Sequence, residues 1–283
     1  MKKIIVTALA LVLVAGLSIG GTVAYLQSTD SDVNTMTLGN VKIEQLEYER
    51  VFGDDGEVID MDEFTQDKPL FPAVITGDAT ANNCWQPNKD VDIWYKDHLG
   101  EEFPGGNGTW QNLNNVQDKF VFVKNTGKSD AYYRTIILLE ADTTGAKNSV
   151  TGQSMIHLNT NGHSNFTWMN ETGDIDKNTL VVEVNGVKYT VEVATYTQPL
   201  TAGEVSRPSL LQVGLDQEAT NEIVAQFGDK YDILVLSQAV QTEGFADAET
   251  ALNTAFGEVN ATNVAKWFAN ITPGNSNSEV EPQ

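Results

Sequence analysis

Hydrophobic and polar positions alternate twice between Met36 and Val51 (MTLGNVKIEQLEYERV). Met36 and Leu38 alternate with Thr35 and Thr37, Gly39-Asn40 interrupts, and Val41 and Ile43 resume. Side chains on a strand change face at every residue, so this stretch reads as a strand, a bulge or tight turn, and a second strand segment. Lys119 to Val123 predicts another strand, which ends at the turn Asn125-Thr126-Gly127. Ala131 to Leu139 (AYYRTIILL) predicts a further strand with a β-branched centre, and Tyr231 to Val240 (YDILVLSQAV) a core strand. Leu180 to Tyr196 (LVVEVNGVKYTVEVATY) is a hairpin, because Asn185-Gly186 supplies the positive φ angles of a type I′ turn between two alternating runs.

Helical spacing comes late and in short pieces. Asn221 to Phe227 places Ile223, Val224 and Phe227 on one face, with Thr220 as N-cap and Gly228 as stop. Asp247 to Phe256 gathers Ala248, Leu252, Ala255 and Phe256 and ends at Gly257, and Asn260 caps a third helix through Trp267 and Phe268. Many short strands with hairpin signals predict a mainly β chain, an antiparallel β-sandwich whose few short helices close its ends or cover a sheet edge.

Gly53 to Asn115 breaks this pattern. It has little periodicity and is rich in Asp, Gly, Asn and Pro, yet it holds Phe64, Phe71, Trp85, Trp94, Tyr95 and Trp110. A disordered linker has few aromatics. The stretch therefore reads as an ordered, loop-rich insertion over 53–115 within a sandwich domain spanning 25–272. Residues 273–283 are polar and read as a disordered tail.

The N-terminus has its own pattern. Lys2 and Lys3 precede an apolar run from Ile4 to Ile19, followed by Gly20-Gly21-Thr22-Val23-Ala24. This is the layout of a signal peptide over 1–24, with Thr22 and Ala24 at the small positions and cleavage between Ala24 and Tyr25. The run to Gln27 is also long enough for an uncleaved membrane anchor. The Gly-Gly pair favours cleavage, and a chain secreted to the matrix or cell surface is expected.

Charge narrows the partners. The 283 residues carry a formal net charge of −22, which argues against nucleic acid and anionic membrane surfaces. Cys84 is the single cysteine, so no intrachain disulfide can staple the exported fold. Candidate chemistry is sparse. His98, His157 and His163 form no H-E-x-x-H motif, and no serine has a G-x-S-x-G context. The acidic run Asp54-Asp55-Gly56-Glu57 and Asp60-Met61-Asp62-Glu63 has the oxygen donors calcium takes, without the EF-hand order. It reads as a solvated acidic loop. No catalytic or metal residues are expected, and calcium is the one cofactor left open.

Three segments together resemble a known family. GGTVAYLQSTDSDVNTMTLGNVKI resembles the signal and mature start of proteins processed by a SipW-type signal peptidase. FVKNTGKSDAYYRTIILLE is similar to the segment those proteins carry next, and VLSQAVQTEGFADAETALNTAFG to the late strand-plus-helix segment of clostridial members. The family includes TasA, a fibre protein of biofilm matrix, and camelysin-like proteins. The resemblance implies a jelly-roll-like sandwich in a secreted protein of a Gram-positive bacterium. It implies self-assembly, head to tail, or assembly with related matrix proteins. In it the segment freed by cleavage, Tyr25 to Ile43, serves as an assembly strand that offers Met36, Leu38, Val41 and Ile43 to the next subunit.

A strand pairing within its own sheet is the competing arrangement. Two other functions stay open at this point. One is a monomeric binding module or adhesin using Trp85, Trp94 and Trp110, and the other is a camelysin-like zinc metallopeptidase, for which no residue here carries a ligand pattern.

Overall fold

A computed structural model describes residues 35–38, 41–54, 58–64, 72–73, 116–141, 145–160, 165–169, 180–226 and 231–271. They build a mainly β chain: an antiparallel β-sandwich with a few short helices.

The first sheet is centred on β7 (Ala131–Glu140), flanked by β11 (Val187–Tyr196) and β13 (Ile233–Gln241), both antiparallel to it. Beyond β11 come β10 (Val181–Val184) and β9 (Phe166–Trp168), and beyond β13 comes β1 (Thr35–Leu38). Asn185 takes φ 51° and Gly186 φ 87° between β10 and β11, the positive pair that a type I′ hairpin demands.

The second layer holds β2 (Ile43–Phe52) between β3 (Val58–Glu63) and β6 (Phe120–Asn125). It also holds β12 (Leu210–Asp216), paired with β4 (Pro72–Ala73), β5 (Val116–Asp118) and β8 (Ile156–Thr160). Only Lys119 separates β5 from β6, and its N–H donates to Leu211 O. Ser209 and Ser206 donate their N–H groups to Val121 O and Val123 O, which ties the two groups of strands together.

Alternation decides where the core sits. Tyr133, Ile137 and Leu139 of β7 join Val235 and Ala239 of β13 against Val41, Ile43, Val121 and Val123 of the second layer. The opposite face of the first sheet is apolar too. Ile136, Leu138, Val191, Val193, Leu234 and Leu236 lie under Val264, Trp267, Phe268 and Ile271. Burying each such side chain contributes about 1.5–3 kcal/mol. This is why β7 is buried along nearly its whole length: the second sheet covers one face and helices cover the other.

The helices are α1 (Asn221–Gln226), α2 (Ala248–Phe256) and α3 (Ala261–Phe268). Asp247 caps α2 by accepting from Thr250 N–H, and Asn260 caps α3 by accepting from Asn263 N–H, as their types predict. Gly257 ends α2 at φ 90°. Among the described residues no helix is long and apolar enough to cross a membrane.

Two features depart from the pattern read along the chain. β1 and β4 each pair in parallel, with β13 and β12 respectively. Part of the loop-rich insertion is strand. Asp60, Asp62 and Glu63 are the exposed positions of β3, while Met61 is buried against Phe120 and Phe122. Alternation was hidden there because three of the last four residues of the strand are acidic, and Met61 alone among those four is apolar.

Candidate functional site

The N-terminal stretch is where sequence placed the working residues, and the structure divides it in two. Val41 and Ile43 belong to the protein's own inter-sheet core. Met36 and Leu38 lie on β1, in register with Gln238 and Val240 of β13. Four residues, 39–42, separate two strands that join opposite sheets. Ala24 and Tyr25 lie outside the described residues, as do Cys84, Trp85, Trp94, Trp110, His98 and His163.

The two halves differ in how they are held. The chain at Val41-Lys42 is gripped by the turn after β6. Thr126 and Gly127 both donate their N–H groups to Lys42 O, at 2.8 and 2.9 Å. A Cβ on Gly127 would stand 2.7 Å from Lys42 N, so only glycine allows this approach. The buried amide of Asn125 fixes the turn. Its Nδ2 donates to Ser129 O and Leu200 O, and its Oδ1 accepts from Gly127 N–H. β2 then pairs on both sides, with β3 and β6. Among the described residues β1 pairs with one strand, β13, over four register positions.

A buried clamp lies behind the strand that pairs with β1. Arg134 on β7 donates Nε to Gln238 Oε1 of β13, Nη1 to Asn253 Oδ1 and Nη2 to Gly257 O, and lies 5.0 Å from the Trp267 ring centroid. One buried cation thus ties β7, β13, α2 and α3. Burial lowers its pKa to about 10, which Glu249 partly opposes. The guanidinium stays charged at neutral pH. Asn125, Gly127 and Arg134 all fall in the sequence FVKNTGKSDAYYR, which therefore reads as structural: a turn that grips the chain after β1 and a clamp behind the strand that receives it.

His157 sits on β8, with Nε2 2.7 Å from Asp216 Oδ2. Asn148 Nδ2 and Glu218 N–H also donate to that carboxylate. Burial pushes the Asp216 carboxyl up, but these hydrogen bonds and the imidazole outweigh it, and its pKa is lowered below 3.8. The group joins β8, β12 and the 145–154 loop. Among the described residues no three His, Cys, Asp or Glu side chains converge as metal ligands do.

Sequence reading missed two buried polar systems. Arg50 and Asp118 form a bidentate ion pair, with Gln212 Nε2 donating to Asp118 Oδ1. Thr135, Ser237, Gln45, Glu47 and Lys119 form a hydrogen-bonded row that crosses the sandwich. The polar residues at core-facing positions of alternating strands, Gln45, Thr135 and Ser237, were the available signal.

No family model, curated protein or solved structure matches this chain.

Proposed function

We propose that this chain is a secreted structural protein of the extracellular matrix or cell surface of a Gram-positive bacterium. In this reading it is a TasA-like fibre subunit with a jelly-roll-like sandwich, and its N-terminal strand is donated to the next copy. The observation the proposal starts from is the parallel pairing of β1 with β13 at the end of a sheet, immediately ahead of the gripped residues Val41 and Lys42; within one copy this is the competing arrangement, a strand in its own sheet, and donation reuses its register. The register Thr35↔Ser237 through Leu38↔Val240 is equally available to a β1 from another chain. Exchange of an identical element between copies keeps every contact and adds only the cost of association.

The grip at Val41-Lys42 sets the limit of what moves. Residues before Gly39 are the exchanged unit, and Val41 and Ile43 stay at home in the core. A β13 edge left open exposes unpaired N–H and C=O groups, which strand addition satisfies. Donation from each copy to the next is heterologous and does not close, so it grows a filament. SipW-type cleavage after Ala24 would free Tyr25 onward to reach the neighbour.

The test compares a chain starting at Tyr25 with one starting at Asn40, by electron microscopy and light scattering. The first is expected to form fibres and the second to stay monomeric. Monomers from both, or fibres from both, would overturn strand donation.

A further inference from the structure

A chain that is exported with one cysteine has no disulfide to brace it, and the buried polar row supplies the parts of another covalent brace. Gln45 and Glu47 stand two residues apart on β2, so they share a face. Lys119, between β5 and β6, is buried, and its Nζ contacts Glu47 Oε2. Glu47 Oε1 accepts from Gln45 Nε2 at 2.9 Å. One carboxylate therefore touches a buried amine and the nitrogen of a buried primary amide. The amide's oxygen is engaged as well: Ser237 Oγ donates to Gln45 Oε1 at 2.7 Å, with Thr135 Oγ1 3.2 Å behind it. The Phe64 ring lies 4.1 Å from Lys119 Nζ and limits its access to water.

We propose that Lys119 and Gln45 join in an intramolecular isopeptide bond, with Glu47 carrying the proton. Lys119 Nζ is already in contact with Glu47 Oε2, and in the step that frees its lone pair it gives a proton to that oxygen. The neutral amine is the nucleophile, activated by its adjacent base. It attacks Gln45 Cδ, forming the Nζ–Cδ bond. Negative charge develops on Oε1, where the Ser237 hydroxyl already donates.

Glu47 relays a proton from Nζ to Nε2, the Cδ–Nε2 bond breaks, and ammonia departs. It takes the remaining proton as ammonium and leaves Glu47 ionised. No oxidant or cofactor enters. Attack requires a separation of about 3–3.5 Å between Nζ and Cδ, and the contacts of both side chains with the one Glu47 carboxylate bring them to neighbouring positions. The product links β2 to the β5–β6 junction across a long sequence interval, which restricts the unfolded chain as a disulfide would.

Mass spectrometry of the intact, folded chain starting at Tyr25 tests this. The expected mass is lower than the sequence mass by one ammonia. A tryptic digest is expected to yield a branched peptide joining IEQLEYER, residues 43–50, to the segment containing Lys119. Lys119→Arg keeps the positive charge and is expected to restore the full mass. Glu47→Gln is expected to keep the full mass while both Lys119 and Gln45 remain present. An unmodified wild-type mass overturns the proposal. So does loss of one water, which would place the link on Glu47, and so does a Lys119→Arg chain that still loses ammonia.

Discussion

Thr35–Leu38 and Ile43–Phe52 are neighbours in sequence and opposites in anchorage. The second strand has partners on both sides, and the chain just before it is gripped by the Asn125-Thr126-Gly127 turn. The first rests on one strand, in parallel, at the end of the other sheet. Alternating hydrophobicity makes the two look alike, because period two reports that a segment is a strand and not how many neighbours it has. What distinguishes them is non-local: the carbonyl of Lys42 accepting from a turn more than eighty residues away. A strand held on both sides and one held on a single side therefore follow each other in the chain, and the proposed exchange would divide them at the contact of Gly127 with Lys42.

Several substitutions sharpen that contrast. The largest loss is expected from Ile43→Ala, which empties a fully buried site in the inter-sheet core. Urea unfolding should show a destabilisation of about 2–5 kcal/mol. A loss near zero would mean that Ile43 is not part of the fixed half. Gly127→Ala comes next. Its new Cβ meets the backbone nitrogen of Lys42, which cannot rotate away, and the strain is expected to cost about 1–3 kcal/mol. The same variant is expected to loosen the boundary after β1, visible as faster amide exchange at Thr126 and at position 127. Unchanged exchange there would break the link between the turn and the boundary.

A smaller and more remote effect is expected from Asp216→Asn. Asp216 titrates at a lowered value in the folded chain, so its charge stabilises the fold above the unfolded carboxyl pKa, near about 4. That stabilisation is lost as pH falls through the folded value. The gap between wild type and Asp216→Asn should therefore be widest at neutral pH and close on acidification. Fibre growth at neutral pH should survive this change, because β8 and β12 lie in the layer that does not carry β13. A gap that widens in acid would contradict the sign of the shift.

Much of the architecture was legible in the chain. The Asn185-Gly186 hairpin, the strands around Ile137 and Val235, and the capped helices after Asp247 and Asn260 all follow from local rules. β12 did not. Its residues LLQVGLD are buried on both faces, and Gln212 and Asp216 are buried polar groups satisfied by distant partners, so no alternation remains to be read. The sheet membership of β1 was equally invisible, since a parallel edge pairing is decided by a strand two hundred residues away.

The candidate assembly residues were grouped by spacing alone. The structure places Val41 and Ile43 in the core and Met36 and Leu38 on the edge strand, because the chain changes sheet between them. The buried row from Thr135 to Lys119 could not be assembled from sequence, since it draws on strands from both layers.

The most direct measurement of strand exchange is a mixed-chain cross-link. Thr37 and Ala239 are register partners, and neighbouring strands stand about 4.8 Å apart, within the span a disulfide bridges. With Cys84 replaced by serine, a chain carrying only Thr37→Cys is mixed with a chain carrying only Ala239→Cys, and the pair is oxidised under assembly conditions. Strand donation predicts a disulfide between the two chains, seen as a dimer on a non-reducing gel. If no dimer forms, while the double variant closes the same bridge within one chain, β1 stays at home and the account fails.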